Sequence, residues 1–512
     1  MKRLLISLIA LVICCTTLSA QPTRRQLIKK INAVYEYIED LYVEDRPLEP
    51  LVEEAIRATL RSLDPHSQYL TKEEMEAASR NLTGEFAGIG INHLIHNDTL
   101  VVRATFENSP AMKAGILPND RIVAVDEESI VGYDIKTATS RIAGKAGSRL
   151  TLSIVRRGES APITLELRRE NIHQSPIVAL RRDSIGYIAI SSFTKSLASD
   201  FNLAYNSLGE VKALVIDLRD NGGGYLSAAI DLTSMFLSRG DVVVITEDRK
   251  RERTYNSRRN GSLRDMPLVV VIDESTASSS EIFAGAIQDH DRGLIVGRTS
   301  FGKGLIQKNI EYKDGSGFRI TTARYKTPSG RPIQRPYVAG KRSAYLRDSM
   351  RFMHPDSIER ADSLHFKTLK LGRKVYGGGG ITPDIYIGRD TIKLSNNVLS
   401  SLSKAVVEHS IVEYRDMVDI ATIREEYPTM ESFNDGYALS SELWNILYRN
   451  AGYGREDITE ADYRYIETML YALLAEQLYG IEARYYINIS RIDYTAQQAI
   501  AVAEESIENG VI

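Results

Sequence analysis

The chain has 512 residues, 43% hydrophobic and 26% charged, with a formal net charge of −3. That length exceeds one ordinary domain and points to three or four units, each able to bury a core. The near-neutral balance gives no global case for nucleic acid, and the densest basic stretch, Arg249-Lys250-Arg251-Glu252-Arg253, follows the strand-like run Val242 to Ile245 and reads as a solvated hairpin loop.

In chain order, Met1-Lys2-Arg3 is a basic start, and Leu4 to Cys15 is an apolar stretch too short to span a bilayer comfortably. Small residues up to Ala20 complete the pattern of a secretory signal over residues 1–20, with a retained membrane anchor as the alternative. An extracytoplasmic, periplasmic location follows. Both cysteines, Cys14 and Cys15, lie in that segment, and Ile13 before Cys14 makes a poor lipoprotein signal. The mature chain then has no disulfide, cysteine nucleophile or thiolate metal site.

Residues 21–83 read as a helical region. Ile28, Ile31, Val34, Tyr35 and Ile38 recur at helical spacing, Leu51 to Ser62 forms a second helix, and Thr71-Lys72-Glu73-Glu74 starts a third. Residues 84–172 read as a β-unit, with strands at Gly88–Asn92, Thr99–Val102, Asp120–Val125, Leu150–Val155 and Pro162–Leu167 and a helix near Tyr133 to Ile142. His93 and His96 in one strand point to opposite faces and make no metal pair. Residues 173–390 alternate strands (Ile185–Ile190, Ala213–Leu218, Val242–Ile245, Leu268–Ile272, Leu294–Val296) with helices (Ser227–Leu237, Glu281–Gln288), so the sheet is expected to be largely parallel. A hairpin, Ile306–Tyr312 with Phe318–Tyr325, follows. Residues 338–376 read as a polar insertion, Gly377 to Gly380 as a flexible joint, and 391–512 as a helical, tyrosine-rich region.

Three turns carry the chemistry. Asp217-Leu218-Arg219-Asp220-Asn221-Gly222-Gly223-Gly224 and Ser275-Thr276-Ala277-Ser278-Ser279-Ser280-Glu281 each follow a strand and open a helix, and Phe301-Gly302-Lys303-Gly304 follows the next strand. In a parallel sheet all three lie outside the carboxyl ends of the strands, where such sheets place their sites. Ser278 would sit at a helix N-terminus, where free N–H groups favour developing negative charge. The amides of Ser279 and Gly223 are the natural oxyanion donors. A serine can be activated by a neutral lysine without histidine, and burial of Lys303 near Phe301 and Leu305 would lower its pKa. Gln307, four residues on, can accept from the amine without adding charge. Each turn also has a plain structural reading: Ser278 and Glu281 form a capping box, and a lone lysine usually faces solvent. No Gly-Lys-Ser/Thr supports a Walker site. His290, at a helix C-terminus, is poorly placed for a Ser-His-Asp triad.

The combination resembles the carboxy-terminal processing (tail-specific) proteases. Thr276-Ala277-Ser278-Ser279-Ser280-Glu281 resembles their Ser-Ala-Ser-Ala-Ser-Glu, Phe301-Gly302-Lys303-Gly304-Leu305-Ile306-Gln307 matches Phe-Gly-Lys-Gly-x-x-Gln in full, and Asp217 to Gly224 resembles Asp-Leu-Arg-Asn-Asn-Pro-Gly-Gly without its proline. Leu63-Asp64-Pro65-His66-Ser67-Gln68-Tyr69-Leu70 and Thr327-Pro328-Ser329-Gly330-Arg331 also match. The likeness covers roughly residues 26 to 390. It favours Ser278 over Ser280, since the family's nucleophile-to-lysine interval fits Ser278.

The resemblance implies an α/β multidomain chain. An α/β, crotonase-like protease core would span 173–390, a PDZ domain 84–172, and helical regions 21–83 and 391–512. It implies a serine endopeptidase with Ser278, Lys303 and Gln307 catalytic and Gly223 and Ser279 forming the oxyanion hole. Gly88, Ile89 and Gly90 would hold a peptide's C-terminal carboxylate. No cofactor, metal or nucleic acid is implied. The expected partners are proteins and peptides with free C-termini, with homodimerisation through the helical ends and peripheral membrane association left open. The competing readings are a catalytically inactive PDZ scaffold and a relative of acyl-CoA enzymes of similar core. An exported chain with a PDZ domain argues against CoA.

Overall fold

Runs of Val, Ile and Leu without polar interruption form the centre of the computed structural model, which describes residues 22–347, 364–389 and 392–509; the expected signal segment lies outside them. Six strands form one sheet in the order Ile177–Arg182, Ile185–Ile190, Ala213–Asp217, Leu268–Ile272, Leu294–Gly297 and Ile385–Tyr386. The first pair is antiparallel and the remaining pairings are parallel. Ile185–Ile190 and Leu268–Ile272 are buried at every residue, as in parallel sheets covered on both faces. Alternate side chains face opposite ways. Ile188, Leu214, Ile216 and Val270 pack under the helices Leu197–Ser207, Leu226–Ser234 and Ser279–Asp289 through Phe201, Ala229 and Phe283. Tyr187, Val215, Val269 and Val271 pack against Ala496, Ala499 and Ala503 of the final helix, Tyr494–Asn509. The end of the C-terminal region therefore covers one face of the central sheet.

The strand Val242–Asp248 does not join that sheet. It lies in a five-stranded antiparallel sheet with Gln68–Leu70, Glu252–Asn256, Leu305–Glu311 and Gly317–Lys326. It pairs with Glu252–Asn256 as a hairpin and with Gly317–Lys326. Placing it in the parallel layer was an error: alternation with helices cannot reveal that the chain has crossed to a second sheet. Gln68–Leu70, from the otherwise helical N-terminal region, pairs with Gly317–Lys326 in the register Gln68↔Arg319. This brings the Leu63 to Leu70 motif to the core. The preceding helix Arg24–Leu41 starts on a Thr23 capping box and buries none of its residues.

The β-unit is a sheet in the order Ile91–His96, Thr99–Thr105, Arg121–Val125, Arg149–Val155, Ile163–Arg168. The helix Ile135–Ile142 packs on its core of Ile89, Leu100, Ile122 and Leu152. The expected strand Gly88–Asn92 is broken. Glu85–Gly88 pairs with Glu170–His173, and Ile91–His96 starts the main sheet. Gly90 causes the break, with φ +77° and no room for a Cβ, which would lie 2.4 Å from the Ser109 Cβ.

The helices Lys404–Met417, Ser441–Ala451, Glu460–Tyr479 and Ile481–Arg491 share a core that includes Val407, Phe433, Leu447 and Leu470. This bundle holds the β-unit through Arg103, paired with Glu408 at 3.0 Å and Glu476 at 3.6 Å. Gly377 to Gly380 is not a loose joint. Gly378 N–H donates to Pro332 O at 2.7 Å and Gly380 N–H to Ile333 O at 2.9 Å, and a Cβ on Gly302 would lie 3.0 Å from the Gly380 nitrogen. Among the described residues, no helix is long and apolar enough to cross a membrane.

Candidate active site

The three turns meet outside the carboxyl ends of the parallel strands and are hydrogen-bonded to one another. Ala277 N–H donates to Asn221 O at 2.9 Å and Phe301 N–H to Thr276 O at 2.9 Å, while Thr276 Oγ1 donates to Leu218 O at 2.8 Å. Gly223, at φ +97°, touches the serine turn so closely that a Cβ there would lie 2.7 Å from Ala277 O, 2.8 Å from Ser278 Cβ and 2.8 Å from Ser279 N.

The three consecutive serines have different fates. Ser280 is fully buried, and its Oγ donates to Asn221 O at 3.1 Å. Ser279 Oγ donates to Gly224 O at 3.0 Å. Ser278 is half-buried, with φ +59° and ψ −115°, and no side-chain capping bond ties its hydroxyl to the helix it precedes. A positive φ in a serine is a strained conformation.

Glu281 joins the serine and lysine turns. Its side chain is fully buried and accepts from Ser278 N–H at 2.9 Å and Lys303 N–H at 2.8 Å on one oxygen, and from Gly302 N–H at 2.7 Å and Ser300 Oγ at 2.5 Å on the other. Burial pushes this carboxyl up, against the pull of those four bonds. The sequence reading gave Glu281 only its reach to Ser278. Its hold on the lysine turn depends on a chain crossing that no local pattern records. Tyr325 adds a second tie, its hydroxyl lying 2.9 Å from Ser278 O and 2.8 Å from Lys303 O.

Lys303 is held low, at about 8. Burial is the main cause and the nearby Arg319 guanidinium the next, against the opposing charges of Glu281 and Asp64. Among the described residues no hydrogen bond joins Lys303 Nζ to Ser278 Oγ in this conformation. Gln307 donates its amide N–H to Thr321 Oγ1 at 3.5 Å. His66, from the N-terminal motif, reaches this corner although it is distant in sequence. Its ring packs edge-on to Phe301 and Tyr345, and its Nε2 lies 3.3 Å from Tyr345 Oη. Burial and then the Lys303 charge hold it neutral, at about 4. Tyr345 comes from the supposed polar insertion and is buried here. The matched Leu63 to Leu70 motif was the one sequence signal for this corner.

Of the two expected oxyanion donors, the Ser279 amide stands at the first position of its helix, where no preceding turn supplies an acceptor. The Gly223 amide donates to Asn221 Oδ1 at 2.9 Å, and Asn221 is itself fixed by Nδ2 donating to Ile190 O at 2.7 Å. His290 is buried, with Nε2 2.7 Å from Val242 O, on the far end of the helix from Ser278. Among the described residues, no group of three or more His, Cys, Asp or Glu side chains could hold a metal ion.

In the β-unit, Gly88, Ile89 and Gly90 form the link between the short ribbon and the main sheet. Ile89 O accepts from Ala111 N–H at 2.9 Å and Gly90 O from Phe106 N–H at 2.9 Å. The loop leads into the strand Ile91–His96, where His93 Nε2 lies 2.8 Å from Thr139 Oγ1 of the helix Ile135–Ile142.

Peptidase family S41 matches residues 184–340, and the PDZ domain family matches residues 101–156. A carboxy-terminal-processing protease of Bartonella bacilliformis is 35% identical over 64% of this chain and 77% of its own length. The carboxy-terminal processing protease CtpB of Bacillus subtilis is 34% identical over 64% of this chain and 71% of its own. Among solved structures, a photosystem II D1 C-terminal processing protease is 27% identical over 70% of this chain and 88% of its own, at a TM-score of 0.36. The two family models cover the Ser278 turn, the Lys303 turn and part of the β-unit, and with the relatives above the chain belongs to the carboxy-terminal processing proteases of family S41, serine-type peptidases that here carry a PDZ domain.

Proposed function

We propose that this peptidase cleaves exported proteins selected by a free C-terminus, through an acyl-enzyme on Ser278 with Lys303 as general base. The observation that carries this reading is the single buried carboxylate of Glu281, which holds the Ser278 and Lys303 amides at once. It locks the two turns in register, while the other two serine hydroxyls are bonded elsewhere. A lysine at about 8 is partly neutral at physiological pH, the condition for taking a proton from a serine.

Neutral Lys303 Nζ takes the Ser278 proton as Oγ attacks the scissile carbonyl carbon. The resulting oxyanion is met by the Ser279 N–H, with the Gly223 N–H turning from Asn221 Oδ1 towards it. Lys303, now charged, returns the proton to the departing amine. Water then attacks the ester carbonyl as Lys303 takes its proton, and Lys303 gives that proton to Ser278 Oγ as the C–O bond breaks and the acid departs. Catalytic hydrogen bonds of this kind commonly tighten only when substrate is bound. Gln307 serves the charged intermediate: its N–H group is placed on Thr321, and its amide oxygen is the acceptor for the ammonium.

Gly223→Ala is expected to lower kcat by about 10²-fold or more, the usual cost of losing one oxyanion donor. The new methyl would push against Ser278 Cβ and Ser279 N, disturbing nucleophile and donor together. Steady-state kinetics on a peptide too short to reach the PDZ domain checks this.

Recognition is assigned to Gly88, Ile89 and Gly90, whose loop carbonyls are spent internally and whose N–H groups would receive the carboxylate, the peptide adding as a strand beside Ile91–His96. The test compares one protein substrate with a free and an amidated C-terminus, with the acylated residue mapped by mass spectrometry after trapping. Charge-assisted bonds to a terminal carboxylate predict about 10- to 100-fold better kcat/KM for the free tail and an acyl group on Ser278. Equal cleavage of both tails removes the recognition step, and acylation elsewhere removes the nucleophile.

A further inference from the structure

The oxyanion turn is braced from outside the protease core. Arg219 stands two residues before Asn221, the residue whose side chain takes the Gly223 N–H and whose carbonyl takes the Ala277 N–H and the Ser280 hydroxyl. Arg219 is held on one side by Asp217: its backbone N–H donates to Asp217 Oδ1 at 2.9 Å and its Nη2 to Oδ2 at 2.6 Å. Asp217 also receives the buried Tyr187 hydroxyl. On the other side the guanidinium is gripped end-on by Asp493, Nη1 to Oδ1 at 2.8 Å and Nη2 to Oδ2 at 2.7 Å. The Arg219 and Asp493 side chains are only 20% and 23% exposed, so removing one partner leaves a poorly solvated charge.

We propose that Asp493, in the C-terminal region, is a positioning residue for the oxyanion turn, acting through Arg219. The inference rests on the reading of Ser278, Ser279 and Gly223 as the catalytic turn. Asp493 opens the final helix, Tyr494–Asn509, with Oδ1 accepting from Ala496 N–H at 3.0 Å. It therefore ties two things together: the helix that covers one face of the sheet and the arginine that leads into the oxyanion turn. Without the second carboxylate oxygen of Asp493, Arg219 Nη2 loses one acceptor and the guanidinium one of its two negative partners. Arg219 stays on Asp217 through Nε and Nη2 but is no longer drawn towards the final helix, beside the cleft of about 780 Å³ that it lines with Asp273, Arg298 and Arg484. The backbone of Arg219 hangs on the same carboxylate, its N–H on Asp217 Oδ1, so a shift of the Arg219–Asp217 pair moves the chain that leads into Asn221.

The capping role and the bracing role can be separated. Asparagine caps a helix as well as aspartate does but leaves the arginine one counter-charge, Asp217, in place of two. In the full chain, Asp493→Asn is expected to lower kcat about tenfold with KM within about twofold, a fraction of the full loss of an oxyanion donor. Affinity for a peptidyl boronate, which mimics the tetrahedral intermediate, should weaken by the same factor, and the melting temperature should stay within a few degrees. Glu504→Gly loosens the same helix at an exposed position and should leave kcat unchanged. An unchanged kcat in Asp493→Asn, a loss confined to KM, or an equal loss in Glu504→Gly overturns the proposal. Activity surviving in Ser278→Ala would instead overturn the catalytic reading beneath it.

Discussion

Ser278→Ala folds as the native chain does and loses about 10⁴- to 10⁶-fold in kcat, the range seen when a serine nucleophile is removed from an assembled site. The loss is specific because Ser279 and Ser280 cannot take over. Their hydroxyls donate to Gly224 O and Asn221 O, and Ser280 has no exposed surface. Stability separates the substitutions further. At φ +59° the serine occupies a region that favours glycine. Ser278→Gly should therefore be equally inactive yet more stable than the native chain by about 1 kcal/mol, while Ser278→Ala keeps the strain. Denaturant unfolding of the two variants beside the native protein checks this, and an alanine variant that retains activity would remove Ser278 as nucleophile.

Lys303→Met should abolish turnover and raise stability together. In the unfolded chain a lysine ionises near 10.5, whereas here burial and Arg319 bring it to about 8. Below pH 8 both states carry the proton, and the folded state bears a cost of about 3 kcal/mol for holding it. Between 8 and 10.5 the unfolded state binds more protons, so native stability rises with pH. Methionine has nothing to ionise. The variant should be more stable by up to about 3 kcal/mol below pH 8, with the difference shrinking towards pH 10.5. Activity follows the same group: native kcat/KM should climb about tenfold per pH unit up to pH 8 and level off above. His66, neutral at about 4, contributes no step in that range. A flat profile between pH 6 and 8 would remove Lys303 as the base.

The meeting of the three turns was legible in the sequence because each is local. A strand, a glycine- or serine-rich turn and a helix occur in one stretch of chain, and the parallel sheet brings such stretches to one edge. The Val242 strand was misplaced because one of its two partners, Gly317–Lys326, lies some 70 residues on and hydrophobic runs do not name their partners. Glu281 was read as a helix cap, which it is for Ser278 N–H; its bonds to Gly302 and Lys303 come from a loop about 20 residues away. The corner built from His66, Phe301 and Tyr345 combines three segments, one of them read as a polar insertion. The role of the final helix was hidden for another reason. Ala496, Ala499 and Ala503 form a stripe of small residues, which allows close approach to a sheet but resembles any surface helix of modest polarity.

That stripe has a consequence for when the enzyme can work. Tyr494–Asn509 follows in chain order every strand it covers, so the sheet is made before its cover. Until it arrives, Tyr187, Val215 and Val271 have no cover on one side, and Arg219 lacks its outer counter-charge. A growing or C-terminally clipped polypeptide would thus hold the serine and the lysine but not a finished site. A chain still without this helix would therefore turn over more slowly than the finished one.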